Sequence, residues 1–288
     1  MDDTSDAMLS GGLYVVATPI GAARDITLRA LDVLGAADVL ACEDTRTTRR
    51  LMDIHGIARA KRPMLAYHDH NAAALRDTLM GHLAAGRSVV LVSEAGTPTI
   101  SDPGFDIVRA AGEAGHPVVA VPGASAAVAA LAVAGLPTDR FLFAGFPPAK
   151  TAARRRWITG LSDAGATLVL YESPRRVLAT LEDLAQAFGP DHRATLCREM
   201  TKRHEETLRG TLTTITATLA TRETIKGEIV LVLDSPPAKD TAIDPEELLR
   251  AALRTLSLKD AAKAVSAQTG MPRKTLYDLA LKLREGSS

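Results

Sequence analysis

Residues 89–104 read VVLVSEAGTPTISDPG, in which four aliphatic residues are followed by a loop of small and polar residues. The loop carries two acidic residues, Glu94 and Asp102. Continuous aliphatic runs are typical of strands buried on both faces of a parallel sheet, and ligands in such sheets bind where the strands end. The stretch therefore predicts a parallel α/β sheet with a binding loop at its carboxyl edge.

The first half of the chain repeats this alternation of short apolar runs and helical patterns. Leu75, Leu79 and Leu83 recur every four residues, as on one face of a helix. Asn71 and Gly86 are placed as the start and stop signals of that helix. Strands are predicted at residues 13–17, 38–42, 64–67, 88–93 and 117–121, and helices at 26–34, 47–54, 72–85 and 105–115. The order predicts a doubly wound sheet of five parallel strands with right-handed crossovers.

The second half predicts another α/β unit and a helical tail. Strands are predicted at residues 141–146, 167–171, 194–199 and 228–234, with helices around Trp157 and at 178–188 and 212–220. A proline-containing linker then precedes three short helices at 245–254, 258–269 and 273–283. We therefore predict a disordered N-terminus at 1–10, an N-terminal α/β domain at 11–123, a C-terminal α/β domain at 124–236, and a linker with a helical tail at 237–288.

Composition narrows the class of protein. With 288 residues, 46% of them hydrophobic, the chain is large enough for two cores. Lys and Arg together number 34, as do Asp and Glu, so only local basic clusters can indicate a polyanionic partner. Cys42 and Cys197 fit no metal-ligand spacing and predict buried thiols in a reducing compartment. The polar N-terminus and the lack of a long apolar run predict a cytoplasmic protein.

Five loops follow the predicted strands of the first half and are expected to share one cleft. They lie at residues 18–21, 43–46, 67–70, 94–104 and 122–125. None of them matches a Walker loop, GxGxxG, GxSxG or HExxH, which argues against phosphate cradling, dinucleotide binding, serine hydrolysis and zinc proteolysis. Any one loop taken alone is better explained by ordinary turns. The five together favour a binding site.

Ten motifs stand along the chain in a fixed order: TPIG (18–21), DITLRA (25–30), EDTR (43–46), YHDHN (67–71), EAGTPTISDPG (94–104), PGASA (122–126), FAGFPP (143–148), YESPRR (171–176), REMTKRHEE (198–206) and GEIVLVL (227–233). Over about residues 12–283 they resemble the ribosomal RNA small subunit methyltransferase I family, a branch of the tetrapyrrole methylase superfamily. Cobalamin and siroheme enzymes typically carry GPG in place of TPIG. The resemblance implies two α/β domains with a cofactor cleft between them. It also implies S-adenosylmethionine-dependent 2′-O-methylation of a cytidine ribose in the decoding region of 16S rRNA.

The resemblance also implies which residues hold S-adenosylmethionine. In the first domain and at the domain junction these are Pro19, Ile20, Gly21, Glu94, Gly96, Thr97, Ser125 and Ala126, and in the second domain Tyr171, Met200 and Glu228. Two positions depart from the family pattern, which usually has Asp at Glu94 and Gly at Thr99. If the backbone at Thr99 needs a positive φ, a β-branched residue is strained there.

Methyl transfer to a ribose hydroxyl depends on in-line positioning of the reacting atoms, and a base that takes the hydroxyl proton assists it. Four residues in motif loops are candidates for that base: Glu43, Asp44, Lys202 and Glu205. A lysine could serve only if desolvation removes its proton. Each of the four is equally well explained as a salt-bridge or capping residue, and the sequence does not choose among them.

Local basic clusters indicate contact with RNA, although the net charge is zero. The candidate residues are Arg46, Arg49, Arg50, Arg175, Arg176, Arg203, Arg273 and Lys274. The run 154–156 is equally well explained as a solvated helix face. The tail resembles a helix-turn-helix, which could bind RNA or merely cover the second domain. The expected partner is 16S rRNA within the small ribosomal subunit, and the resemblance implies a homodimer.

The sequence leaves three alternative functions open. His68 and His70 could ligate a metal from one face of an extended segment, but no second ligand pair is evident, and a structural or substrate-loop role is favoured. The chain could methylate a carbon of a tetrapyrrole. It could also be a non-catalytic RNA-binding assembly factor.

Overall fold

The computed structural model describes residues 9–58, 61–68, 70–236 and 245–285. Most of the predicted disordered N-terminus, the linker at 237–244 and Asp69 lie outside the described residues. The chain divides after Pro236 into two compact units, which are described separately.

The first half of the larger unit forms a fully parallel five-stranded sheet, as predicted. Its strands lie in the order β3-β2-β4-β1-β5. They are β1 (Gly12–Val16), β2 (Val39–Cys42), β3 (Met64–Ala66), β4 (Ser88–Val92) and β5 (Val118–Val121). All five residues of β4 are buried, since helices cover both faces of the sheet interior. This arrangement brings the carboxyl ends of all five strands to one edge.

Four helices connect these strands: α1 (Leu28–Ala36), α2 (Thr45–Ile54), α3 (Ala72–Ala84) and α4 (Phe105–Glu113). Asp44 caps α2, because its side chain accepts a hydrogen bond from the backbone N–H of Arg46 at 2.7 Å. Asn71 precedes α3 as predicted, but its side chain accepts from the backbone N–H of His68 and does not cap the helix. Gly86 follows α3 with a φ of +71° and allows the chain to turn into β4.

The second half forms a mixed sheet in the order β6-β7-β10-β8-β9, with α5 (Ala126–Ala134) leading into it. Its elements are β6 (Phe141–Gly145), α6 (Thr151–Gly160), β7 (Thr167–Glu172), α7 (Val177–Phe188), β8 (Arg193–Arg198), β9 (Glu206–Thr211), α8 (Leu212–Ala220) and β10 (Ile229–Leu233). Four of these strands were predicted. The strand β9 was missed because it lies at the edge, is only partly buried and reads ETLRGT, without a clear apolar run.

Helices α6 and α7 are joined by a buried ion pair. Arg154 Nε lies 2.7 Å from Asp183 Oδ2, and both side chains are at least 95% buried. Arg155 Nε donates to the other oxygen, Asp183 Oδ1, also at 2.7 Å. Two members of the basic run 154–156 therefore pair with an acid of the fold.

The edge strand β9 is anchored by Glu206, which binds Arg198 at 2.9 Å and Arg222 at 2.5 Å. Hydrogen bonds from Arg222, and then from Arg198, lower the pKa of the Glu206 carboxyl to about 2. The folded-state pKa is thus below that of the unfolded chain. The resulting stabilisation is present above about pH 4.5 and is lost as the pH falls towards 2.

We expect Glu206→Gln to be less stable than the parent chain at pH 6, by about 1–2 kcal/mol after allowance for solvent screening. At pH 3 the difference should narrow, because the unfolded parent chain then takes up a proton at Glu206 while the folded chain, with a pKa of about 2, does not. Urea unfolding at the two pH values measures the difference. Glu113→Gln is the control, since Glu113 is 73% exposed and lies 4.0 Å from Arg109. A Glu206→Gln deficit that stays constant with pH would contradict the prediction.

The smaller unit contains α9 (Pro245–Ala252), α10 (Leu258–Thr269) and α11 (Arg273–Glu285), as predicted for the tail. Leu249, Val265 and Leu276 meet in its core with three alanines. Gly270, with a φ of +71°, forms the turn between α10 and α11. The longest described helices, α3 and α11, have 13 residues and are too short to cross a bilayer, which requires about 20.

Candidate functional site

The carboxyl edge of the first sheet, together with loops of the second, encloses two adjoining cavities. The smaller one, of about 320 Å³, is here called the apolar cavity. It is lined by Ile20, Ala95, Gly96, Thr97, Ile100, Ser101, Asp102, Ser125, Ala126, Phe146, Tyr171, Glu172, Ser173, Pro174, Gly227, Glu228, Ile229 and Val230. The larger one, of about 620 Å³, is called the charged cavity. It is lined by Thr18, Pro19, Ile20, Gly21, Ala23, Glu43, Thr47, Arg50, Leu51, Ile54, Glu94, Ala95, Asp102, Lys202 and Glu228.

Aromatic side chains form one wall of the apolar cavity. The rings of Phe143 and Phe146 meet the ring of Tyr171 edge-on, with centroids 4.8 and 5.5 Å away. The Tyr171 hydroxyl accepts a hydrogen bond from the backbone N–H of Ala127 at 3.2 Å, and burial raises the pKa of this phenol. Tyr171 is therefore neutral and fixed in position, and it offers a flat apolar surface to a ligand.

Backbone hydrogen bonds tie the loops after β1, β4 and β5 together. Thr18 and Gly96 exchange two N–H···O bonds, of 2.8 and 3.0 Å. Thr97 Oγ1 donates to the carbonyl oxygen of Ala124 at 3.1 Å. Gly96 has a φ of +79°, which only glycine adopts without strain. The floor of the apolar cavity is thus held by bonds that do not depend on a ligand.

The loop after β4 contains left-handed backbone at two residues other than glycine. Thr99 has a φ of +73° and Ser101 a φ of +65°. The sequence raised this possibility for Thr99, where the family pattern usually has Gly. The structure confirms that a β-branched residue occupies a conformation that favours glycine.

We expect Thr99→Gly to stabilise the chain by about 0.5–1 kcal/mol, since relief of strain outweighs the greater entropy of the unfolded glycine chain. Urea unfolding measures the change. Thr97→Gly is the matched control two residues earlier, with no left-handed backbone and a side-chain hydrogen bond to lose. It should destabilise the chain by about 1 kcal/mol. Equal losses of stability in the two variants would contradict the assignment of strain to Thr99.

In the charged cavity, Glu43 holds the loop after β4 in place through a hydrogen bond. Its Oε2 accepts a hydrogen bond from the backbone N–H of Glu94 at 2.9 Å. This contact joins the loop after β2 to the loop after β4 and fixes the direction of the Glu94 backbone. Glu43 therefore positions the site, and the same carboxylate also faces the cavity.

Lys202 is held between two carboxylates. Its Nζ lies 3.0 Å from Glu199 Oε1 and 2.9 Å from Glu228 Oε2. Burial alone would lower the pKa of this ammonium, but hydrogen bonds to Glu228 and Glu199 outweigh burial and raise the pKa. Lys202 stays protonated, so it lacks the lone pair that a base requires.

Two further candidates for the base, Asp44 and Glu205, form hydrogen bonds outside the two cavities. Hydrogen bonds from the Arg46 side chain and backbone lower the pKa of Asp44 to about 2, and Asp44 caps α2. Glu205 Oε2 accepts from the backbone N–H of Thr201 at 3.0 Å. Neither residue lines either cavity.

Four residues line both cavities: Ile20, Ala95, Asp102 and Glu228. Two of them are carboxylates, and Glu228 is bound to Lys202. Asp102 was not among the sequence candidates. The signal that could have pointed to it is that Asp102 is an acidic residue in the loop after β4.

The predicted cofactor residues fall into three groups. Seven line the apolar cavity: Ile20, Gly96, Thr97, Ser125, Ala126, Tyr171 and Glu228. Three line the charged cavity alone: Pro19, Gly21 and Glu94. Met200 lines neither, because its side chain is buried in the core cluster that also contains Ile20. The structure thus brings ten of the eleven to the two adjoining cavities.

The predicted RNA contacts also differ in their surroundings. Arg50 lines the charged cavity and is exposed. Arg46 forms an ion pair with Asp44. Arg176 forms an ion pair with the fully buried carboxylate of Glu172 at 2.7 Å. Arg49 is only partly exposed, and its Nε is buried. The remaining four are exposed: Arg175, Arg203, Arg273 and Lys274.

The histidine and cysteine candidates, His68, His70, Cys42 and Cys197, line neither cavity. The rings of His68 and His70 are 5.9 Å apart, edge to face. Within the part of the chain that the structure describes, no group of three or more His, Cys, Asp or Glu side chains could hold a metal ion. Cys42 and Cys197 are free and buried, as expected, and burial raises the pKa of the Cys42 thiol to about 11.

Comparison with known proteins gives two family matches and many relatives. Residues 12–216 match the tetrapyrrole (corrin/porphyrin) methylases, and residues 239–284 match the RsmI C-terminal HTH domain. Ribosomal RNA small subunit methyltransferase I of Mesorhizobium japonicum is 44% identical over 97% of this chain and 94% of its own. The protein of the same name from Synechocystis is 44% identical over 95% of this chain and 98% of its own.

Solved structures support the same fold. The methyltransferase CobJ superposes with a TM-score of 0.58 at 21% identity, over 78% of this chain and 95% of its own. Uroporphyrin-III C-methyltransferase of Thermus thermophilus, complexed with S-adenyl homocysteine, gives a TM-score of 0.51 at 20% identity, over 77% of this chain and 97% of its own. At these identities the similarity concerns the fold alone.

Proposed function

The chain belongs to the tetrapyrrole methylase superfamily and, within it, to the ribosomal RNA small subunit methyltransferase I family, and we propose which atom it methylates. As a member of this family it is an S-adenosylmethionine-dependent rRNA methyltransferase. We propose that its acceptor is the ribose 2′-hydroxyl of a cytidine in the decoding region of 16S rRNA. The observation that carries the proposal is the pair of adjoining cavities with a common acidic wall.

The apolar cavity fits S-adenosylmethionine. Its volume of about 320 Å³ is in the range of small-ligand sites, Tyr171 and Phe146 offer surfaces for an adenine, and Thr97 and Ser125 add hydroxyl groups to the lining. When bound, this cofactor supplies an electrophilic methyl group on a sulfonium. Asp102 and Glu228, at the boundary of the two cavities, place negative charge near the position of that cation.

The charged cavity fits a nucleotide of the RNA. Leu51 and Ile54, the latter 56% exposed, form an apolar wall on which a base can pack. Arg50, on the same helix, provides a guanidinium for a flanking phosphate. A nucleotide turned out of its stack into this cavity would present its ribose towards the shared wall. This arrangement supports a ribose oxygen as the methyl acceptor.

We propose that Asp102 accepts the proton of the ribose hydroxyl. The base must reach both the acceptor oxygen and the methyl group, so it must stand where the two cavities meet. Glu228 stands there too, with its Oε2 2.9 Å from Lys202 Nζ, and Glu228→Gln tests it as the alternative. Glu43 lines only the charged cavity and holds the Glu94 backbone.

We also propose that the protein works as a cytoplasmic homodimer on the small ribosomal subunit. The edge strand β5 and helix α5 expose three valines, Val118, Val128 and Val133, at 39%, 58% and 42%. Exposed apolar side chains of this kind favour contact with a second copy. Sedimentation of the full chain, with Val128→Lys as the variant expected to be monomeric, tests this part.

The first experiment combines calorimetric titration with S-adenosylmethionine and methyl transfer to small subunits that lack the modification. Binding together with label in a cytidine ribose of 16S rRNA supports the proposal, and fully modified subunits are the control. Binding without transfer to RNA would favour a tetrapyrrole substrate. No binding would favour a non-catalytic assembly factor.

A further inference from the structure

The helical tail contains a basic groove between the end of α9, the start of α10 and the end of α11. Its volume is about 610 Å³. Three arginines line it, Arg250, Arg254 and Arg284, over a floor that includes Leu253, Leu256 and Leu283. We propose that this groove, here called the arginine groove, binds the phosphate backbone of RNA. The inference rests on the proposed function and adds a second RNA contact to it.

Among the side chains that the structure describes, one carboxylate, that of Glu246, lies within 4.0 Å of a guanidinium group of the groove. Arg250 is 67% exposed and lies 3.4 Å from Glu246, an exposed i,i+4 pair that contributes little and exchanges readily. Among the described residues, Arg254 and Arg284 have no carboxylate within 4.0 Å. Three cations, from α9, from the turn between α9 and α10, and from α11, are held around one concave surface and are suited to a polyanion.

The chemistry of the groove favours RNA over a small anion. It is an open groove, and Leu256 in its lining is 44% exposed. Planar guanidinium groups bind phosphate oxygens in a bidentate manner and also stack on bases, while an exposed leucine packs against a sugar or base. A nucleic acid strand offers phosphates and apolar faces side by side.

The arginine groove is distinct from the contact that a helix-turn-helix usually makes. That contact uses the N-terminal residues of the second helix, here Arg273 and Lys274 of α11. Arg284 is at the other end of the same helix, about 16 Å away along its axis. Along a duplex axis, at about 3.4 Å per phosphate of one strand, this distance spans about five nucleotides, so the two ends of α11 contribute separable contacts.

The test compares two triple variants of the full chain. In Arg250→Gln/Arg254→Gln/Arg284→Gln the groove loses its charge. The matched control loses the same charge at exposed lysines of α10 and α11 that do not line the groove: Lys259→Gln/Lys263→Gln/Lys282→Gln. Binding to protein-free 16S rRNA and to small subunits is measured against salt concentration. Circular dichroism and calorimetric binding of S-adenosylmethionine establish that both variants are folded.

We expect the arginine variant to reduce the slope of log K against log salt by about 2, since each single-strand phosphate contact contributes about 0.7. Its affinity at 0.1 M salt should fall at least about 10-fold, and the lysine control should show less than half of either change. Equal behaviour of the two triple variants, with the parent chain active, would overturn this inference alone. Weakened binding to subunits but not to free RNA would assign the groove to a ribosomal protein. A parent chain that neither binds rRNA nor transfers methyl would overturn the proposed function itself.

Discussion

Asp102→Asn is expected to slow methyl transfer to the RNA by about 10²–10⁴-fold, the range for removal of a general base. The amide keeps the size of the side chain but does not take a proton near neutral pH. Because Asp102 lies at the junction of the apolar and charged cavities, the loss should appear in kcat, with the Kd for S-adenosylmethionine changed only a few-fold. Single-turnover transfer of labelled methyl and calorimetric titration measure the two quantities.

Two variants serve as controls for Asp102. Glu228→Gln removes the other carboxylate of the shared wall and frees Lys202 from one partner, and Glu43→Gln loosens the Glu94 loop. Both should reduce transfer less than Asp102→Asn. The rate of methyl transfer by the parent chain should rise with pH as one acidic group ionises. In Asp102→Asn this rise in rate should be absent. A larger loss in Glu228→Gln would assign the proton to Glu228 instead.

The fold followed from sequence wherever the periodicity was strong. The run at Val89–Val92 and the segments around it predicted all five parallel strands within one or two residues, because a strand buried on both faces must be apolar throughout. The edge strand Glu206–Thr211 was missed, since it is only partly buried, and it is held by pairing with β8 and by the ion pairs of Glu206 with Arg198 and Arg222. Local propensity carries no information about such partners.

The sequence predicted which loops form the candidate site, but it did not predict the chemical role of each residue in them. Four of the five predicted loops line the two cavities, because parallel strands align their carboxyl ends, and the described residues of the fifth, at 67–70, line neither. Whether Lys202 is a base or a cation depends on Glu199 and Glu228, which reach it from different strand ends. Likewise, only the three-dimensional arrangement places Asp102 on the wall that the two cavities share.

Asp183→Ala is expected to destabilise the larger unit by about 3–5 kcal/mol, the cost of removing one partner from a buried ion pair. Arg154, which is 4% exposed, would keep a buried charge with only a 3.5 Å hydrogen bond to the carbonyl oxygen of Ala149. Arg155 is 55% exposed and would turn to solvent. Urea unfolding at neutral pH, with the slope m checked for two-state behaviour, measures the loss.

The size of that loss separates two explanations of the basic run 154–156. If Arg154 stabilises the folded state through its pair with Asp183, the double variant Arg154→Met/Asp183→Leu should recover most of the stability. A well-packed apolar pair can replace a buried ion pair. Glu113→Ala, at the exposed pair with Arg109, is the control and should change stability by less than about 1 kcal/mol. A small loss of stability in Asp183→Ala, together with weaker RNA binding in Arg154→Met, would show that the arginines bind the RNA. A large loss with RNA binding unchanged would place Arg154 in the core, where an RNA phosphate does not reach it.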